Sequence, residues 1–180
     1  MPLVFSPRDP EGDLLEIIRR YWEQVEAHVR NLEEKLGNVG KIFHELVPIS
    51  DDEGAKAIEE LNEWSYQIVK GRLDKGAELQ ALEDGELLTE FMDWGTCLAI
   101  GLQNAKVFTK VFEFYAEAQK RRNDQLAKRI DETLEDDEVG MLLMREGHQV
   151  QFPSDIQVFY VAPPSLDEIK RWVRAREQEQ

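Results

Sequence analysis

The sequence predicts a mainly α-helical protein: a bundle of four or five helices ending in a small two-stranded α/β appendage. Three observations lead there. Apolar residues recur at helical spacing through most of the chain up to Asp136. Beyond that point the pattern changes to short runs rich in branched and aromatic residues. Hydrophobic residues make up 42% of the 180, enough for a buried core. The expected organisation is residues 1–136 as the helical bundle and 137–180 as a strand–loop–strand–helix unit packed on it, within one compact domain.

The prolines at 2, 7 and 10 mark an irregular lead-in, and Asp9 followed by Pro10 has the form of a helix start. Leu14, Ile18, Tyr21, Val25, His28 and Leu32 step alternately by four and three. A second row, Leu15, Trp22, Val29 and Leu36, widens that face to suit a helix gripped by two neighbours, and Gly37 ends it. Ile42, Phe43, Leu46 and Val47 suggest a short helical piece stopping before Pro48. Ser50 and Glu53 are spaced as a capping box. The helix they open turns Ile58, Leu61, Trp64, Ile68 and Val69 inward and weakens near Gly71 or Gly76. Asp84-Gly85 marks a turn before the apolar face of Leu87, Leu88, Phe91, Met92 and Trp94.

The longest helical signal runs from about Thr96 to Leu134, through Leu98, Leu102, Ala105, Phe108, Phe112, Tyr115, Leu126 and Ile130. A straight helix of that length would approach 60 Å at about 1.5 Å per residue, so it either bends, with Gly101 the candidate, or projects. Val139 to Met144 and Ile156 to Val161 read as strands, joined by a polar loop from Arg145 to Asp155. After Pro163-Pro164, Ser165 and Glu168 form a second capping-box spacing, and Leu166, Ile169, Trp172 and Val173 share one face of the last helix. Two strands alone are marginal, so the unit must pack on the bundle or pair with another chain.

Charge excludes some functions. With 22 Lys+Arg against 37 Asp+Glu the chain carries −15, which repels nucleic-acid backbones and anionic membranes. No apolar run approaches membrane-spanning length, no secretory leader is visible, and the single Cys97 forms no internal disulfide. The expectation is a cytoplasmic protein.

Few motifs carry chemistry. His44 starts no His-Glu-x-x-His zinc motif, because Pro48 holds the second position, and no Glu stands three residues before any of the three histidines. Gly37-Asn38-Val39-Gly40-Lys41 has neither the spacing nor the hydroxyl of a phosphate loop. Lys120-Arg121-Arg122 with Lys128-Arg129 is the one local reversal of charge, suited to pairing with acids such as Glu117 and Asp124 or to an anion. His28 suits a buried or interface position on its seam, and Cys97 a small packed residue. Gly147-His148 lies in the loop after the first C-terminal strand, where sites gather, and His148 has the chemistry of a ligand or general base. No motif implies a cofactor.

Arg122-Asn123, then Ala127 and Ile130, then a Gly140-containing strand and His148-Gln149-Val150 resemble the closing segment of TraB/GumN-type proteins. In that family an Arg-Asn/Asp-x-x-x-Ala-x-x-Ile helix leads into a strand ending in a Gly-x-x-His turn, and some members are similar to metal-dependent proteases. Here Arg145 stands where the turn glycine would be, and no earlier strand carries a matching histidine. The resemblance spans residues 121–150 and implies Arg122 and His148 as site residues. Two functions follow. The first is a non-enzymatic interaction or regulatory protein, binding a second copy of itself or another protein through Trp22, Trp64, Trp94, Phe112 and Tyr115. The alternative is a metal- or anion-dependent hydrolase at His148, with Arg122 and Asp155.

Overall fold

In the computed structural model, which describes residues 1–7 and 12–177, helices dominate and a small parallel sheet joins them. Among these residues the order is α1 (Leu14–Leu36), β1 (Val39–His44), α2 (Asp51–Leu61), α3 (Glu63–Leu73), β2 (Glu78–Gln80), α4 (Gly85–Ala99), α5 (Ala105–Thr133), β3 (Val139–Leu143) and α6 (Ser165–Glu177). The strands lie in the order β2-β1-β3, all parallel, with Ile42 opposite both Leu79 and Met141. No helix among the described residues is long and apolar enough to cross a membrane.

The first correction is β1. Ile42, Phe43, Leu46 and Val47 are expected in a short helical piece, yet Ile42 and Phe43 lie in the central strand and Leu46 and Val47 follow its end. A parallel strand covered on both faces shows no alternation of apolar and polar residues. Ile42 packs on one side with Tyr21, Val25 and Ile58, while Phe43 packs on the other with Leu82, Leu126 and Ile130. Both are fully buried, at about 1.5–3 kcal/mol of stabilisation each. One face of the sheet is therefore covered by α1, α2, α3 and α6, and the other by the C-terminal half of α5 and the segment near Val150.

α1 forms as its spacing predicts, burying Leu14, Ile18, Tyr21, Trp22, Val25 and Val29 and ending at Gly37, whose φ of 102° suits glycine. His28 is exposed rather than buried, with Nδ1 on the Gln24 carbonyl, and Leu15 and Leu36 are exposed as well. The Asp9-Pro10 start lies outside the described residues. The helix opened by Ser50 breaks at Asn62, which caps α3 by accepting from the Ser65 N–H. Neither capping box forms: the Ser50 hydroxyl bonds Asp51, and that of Ser165 bonds Gln24 of α1. Arg72 of α3, buried, pairs with Glu26 and Glu33 and ties α3 to α1.

Gly54 in α2 shows how close this packing is. A Cβ there would sit 2.5 Å from the Ile49 carbonyl oxygen and 2.8 Å from Leu79. Backbone cannot step aside cheaply, so Gly54→Ala is expected to cost about 1–3 kcal/mol despite alanine's better helix propensity. An unchanged urea midpoint would contradict this.

The long helix predicted from Thr96 to Leu134 is two helices. The chain turns at Gly101, with φ of 77°, and Asn104 caps α5 by accepting from the N–H groups of Lys106 and Val107. α4 and α5 therefore form an antiparallel hairpin. Val139–Leu143 is a strand as expected, but Ile156 to Val161 is not. That segment runs unpaired, with Val158, Phe159 and Tyr160 exposed.

Candidate functional site

Because the three strands run the same way, the residues leaving their C-terminal ends collect on one side of the sheet, where open parallel sheets hold their ligands. Glu45 follows β1, Glu83 follows β2, and Arg145 and His148 follow β3. Glu45 is held in place because its N–H donates to the Leu143 carbonyl at 2.9 Å. Leu46 adopts a left-handed φ of 70°, which turns its N–H onto the Glu83 carboxylate at 3.0 Å.

Arg122 reaches this group from α5. Its Nε donates to Glu83 at 2.9 Å, and its terminal nitrogen donates to Glu83 and, at 3.0 Å, to Glu45. Phe91 of α4 lies under the guanidinium, 4.9 Å from carbon to ring centroid. Arg145 completes the set, its backbone N–H at 2.6 Å and its side chain at 3.2 Å from the Glu45 carboxylate. The side chains of Glu45, Glu83 and Arg122 are each at most 5% exposed. Two carboxylates and two guanidiniums balance in charge. Burial alone would push the Glu45 carboxyl up, but its bonds from Arg145 and Arg122 prevail and hold it below the ordinary value of 4.5. A carboxylate committed in this way is a poor proton acceptor, and the arrangement works as a clamp joining all three strand ends to α5.

His148 stands apart from the clamp. Its ring meets Phe152 edge-on at 6.1 Å, and its Nδ1 is buried without a hydrogen-bond partner. Burial lowers its pKa below 6.5, with the Glu45 charge pulling the other way. Together with Asp155 it lines a cleft of about 720 Å³ beside β3. Arg122 and His148, the residues singled out by the TraB/GumN resemblance, both feel the charge of Glu45, but only Arg122 bonds it. Among the described residues no three His, Cys, Asp or Glu side chains come together as a group able to hold a metal ion.

Glu45 and Glu83 escaped the sequence reading. Each follows a short apolar run, Ile42-Phe43-His44 and Leu79-Gln80-Ala81-Leu82, and reading those runs as strands would have put both acids at strand ends. Three other members of the basic stretch are paired on the surface, Lys120 with Asp124, Arg121 with Glu90 and Lys128 with Glu132.

Comparison of the chain with protein-family models, with curated proteins and with solved structures finds no significant match.

Proposed function

We propose that the protein is a non-enzymatic interaction module that self-associates through the α4–α5 hairpin. The observation behind this reading is that no residue between Met92 and Glu117 is buried, although the stretch is rich in large apolar side chains. Ile100 is 71% exposed, Met92 54% and Phe112 51%, with Val107, Phe108 and Phe114 also exposed. Two stacked pairs, Phe91–Tyr115 and Trp94–Phe114, already join α4 to α5. The apolar arc on α5 is wider than α4 covers, and apolar surface left open on this scale marks an interaction site.

Charge favours a second copy as the occupant. Between Asp93 and Glu113 the only charged residues are Lys106 and Lys110, in a chain carrying −15. Glu86, Glu90 and Asp93 line a groove on α4, together with Trp94 and Cys97. Two hairpins related by a two-fold axis would bring each lysine-bearing tip to the other's acidic groove and close a four-helix bundle. Of the five aromatics expected on interaction faces, Trp22 belongs to the core and Trp64 packs against it, which leaves Trp94, Phe112 and Tyr115 on the hairpin. The hydrolase alternative has less support, because Arg122 is buried and its guanidinium is committed to Glu45 and Glu83.

Light scattering at tens of micromolar tests the reading. The wild-type chain is expected at twice the monomer mass, and Phe108→Glu with Phe112→Glu at the monomer mass with an unchanged circular dichroism spectrum. A monomeric wild-type chain, or a variant that still dimerises, would contradict it.

A further inference from the structure

The cleft beside β3 is a slot at the open edge of a sheet. Leu32 and Leu36 of α1 line one side, Ile130 of α5 and Leu134 just after it the other, the backbone of Val139–Leu142 the floor, and residues 156–161 face that floor across the slot. Among the described residues, pairing is seen at the far end of this edge: the Leu142 carbonyl accepts from the Met1 amine, and the Met144 carbonyl accepts from the Leu3 N–H. On that side of a strand alternate residues point outward. Leu143 turns the other way, its carbonyl bonding Glu45 after β1. By the same alternation Gly140 aims its N–H and C=O into the slot, and it is exposed.

Acid surrounds this edge. Glu33 of α1, Asp131 of α5, the whole run from Glu135 to Glu138 and Asp155 line the slot; among the described residues the Met1 amine, at its occupied end, is the basic group there, and no lysine or arginine lines it. The Glu33 side chain is 7% exposed, yet its Oε1 has no hydrogen-bond partner, the other oxygen taking Arg72. His148 leaves a second buried atom, Nδ1, unpartnered in the same lining. An open strand edge between two apolar walls, ringed by negative charge, is a receptor for an added strand.

We propose that this slot binds an extended, lysine- or arginine-bearing peptide segment of a partner protein. The segment adds as a strand on β3 in line with residues 1–3, with its apolar side chains toward the α1 wall and its cations, on the opposite face, toward the acidic rim beside α5. The surface is separate from the hairpin, so its test stands whatever the oligomeric state proves to be.

The experiment uses a fluorescein-labelled KVKVKVK peptide, an EVEVEVE counterpart, and KKPPPKK, which has the same charge but lacks the central N–H donors that pairing needs. The full chain is expected to bind KVKVKVK at least about tenfold tighter than either control. Saturating peptide should slow hydrogen exchange at the Gly140 amide by about tenfold or more. Asp131→Lys with Glu135→Lys, both exposed positions, should weaken binding by about tenfold with the fold intact. Equal binding of KKPPPKK would reduce the contact to charge alone and overturn strand addition. Absence of binding up to roughly 1 mM, unchanged Gly140 exchange, or indifference to the charge reversal would each overturn it too. Gly140 protection that rises with protein concentration and needs no peptide would give the slot to a second copy instead.

Discussion

Arg122→Met is expected to lower stability by about 3–5 kcal/mol, the largest effect of any single substitution considered. Arginine and methionine are similar in length, so packing changes little. What changes is that Glu83, with two bonds from the guanidinium, and Glu45, with one, are left buried beside an apolar side chain. Glu45 keeps Arg145, while Glu83 keeps, among the described residues, the Leu46 N–H. The pH dependence identifies the cause. With the guanidinium gone, the folded-state pKa of the stranded carboxyl rises, so its penalty is present at neutral pH and shrinks as acid protonates it. Wild type and variant should therefore converge in stability as pH falls toward 4.5, the ordinary carboxyl value. Adding Glu83→Gln should recover part of the loss. Chemical denaturation across pH reads all of this, and a gap that stays constant with pH would contradict the clamp.

Acid should also act through His44. The residue ends β1 fully buried, with Nδ1–H donating to the Glu45 carbonyl at 2.7 Å and Nε2 at 3.1 Å from the Ser65 hydroxyl. Burial pushes its pKa down to about 4, outweighing the opposing pull of Glu45. The unfolded chain binds this proton near pH 6.5 and the folded chain only near 4, so protonation favours unfolding across that window. The stability present above pH 6.5 is expected to fall by about 3 kcal/mol by pH 4. His44→Gln should be flat in this window apart from the carboxylates, whose contribution is lost lower down. Urea midpoints at half-unit steps test it, and an equal slope in both proteins would contradict it.

The histidine and the clamp sit where sequence reading was weakest, for a physical reason. α1 was legible because one face meets core and the other meets water, which writes a period of 3.6 into the residues. β1 meets core on both faces, so Ile42, Phe43, Leu46 and Val47 show only apolar clusters, and their spacing of one, three and one mimics a helix. The break between α4 and α5 was hidden because both helices carry apolar residues at helical spacing through it. Gly101 was visible as a bend, and Asn104 as a cap would have divided them. Ile156 to Val161 has strand composition, but it lies across the slot from the strand it would need for pairing. Of the site, Arg122 and His148 stood out as scarce chemistry in an acidic chain. Glu45 and Glu83 were invisible among 37 acids, since only the sheet brings them together.

The hairpin remains the centre of the functional account, and an intermolecular distance tests it most directly. A nitroxide placed by Thr109→Cys in a Cys97→Ser background sits on an exposed position of α5 between Phe108 and Phe112, one label per molecule. Pulsed dipolar spectroscopy at tens of micromolar should then show a defined distance between labels on two molecules, lost when Phe108→Glu and Phe112→Glu are added. A featureless background decay from the labelled parent chain would mean that the hairpins do not meet.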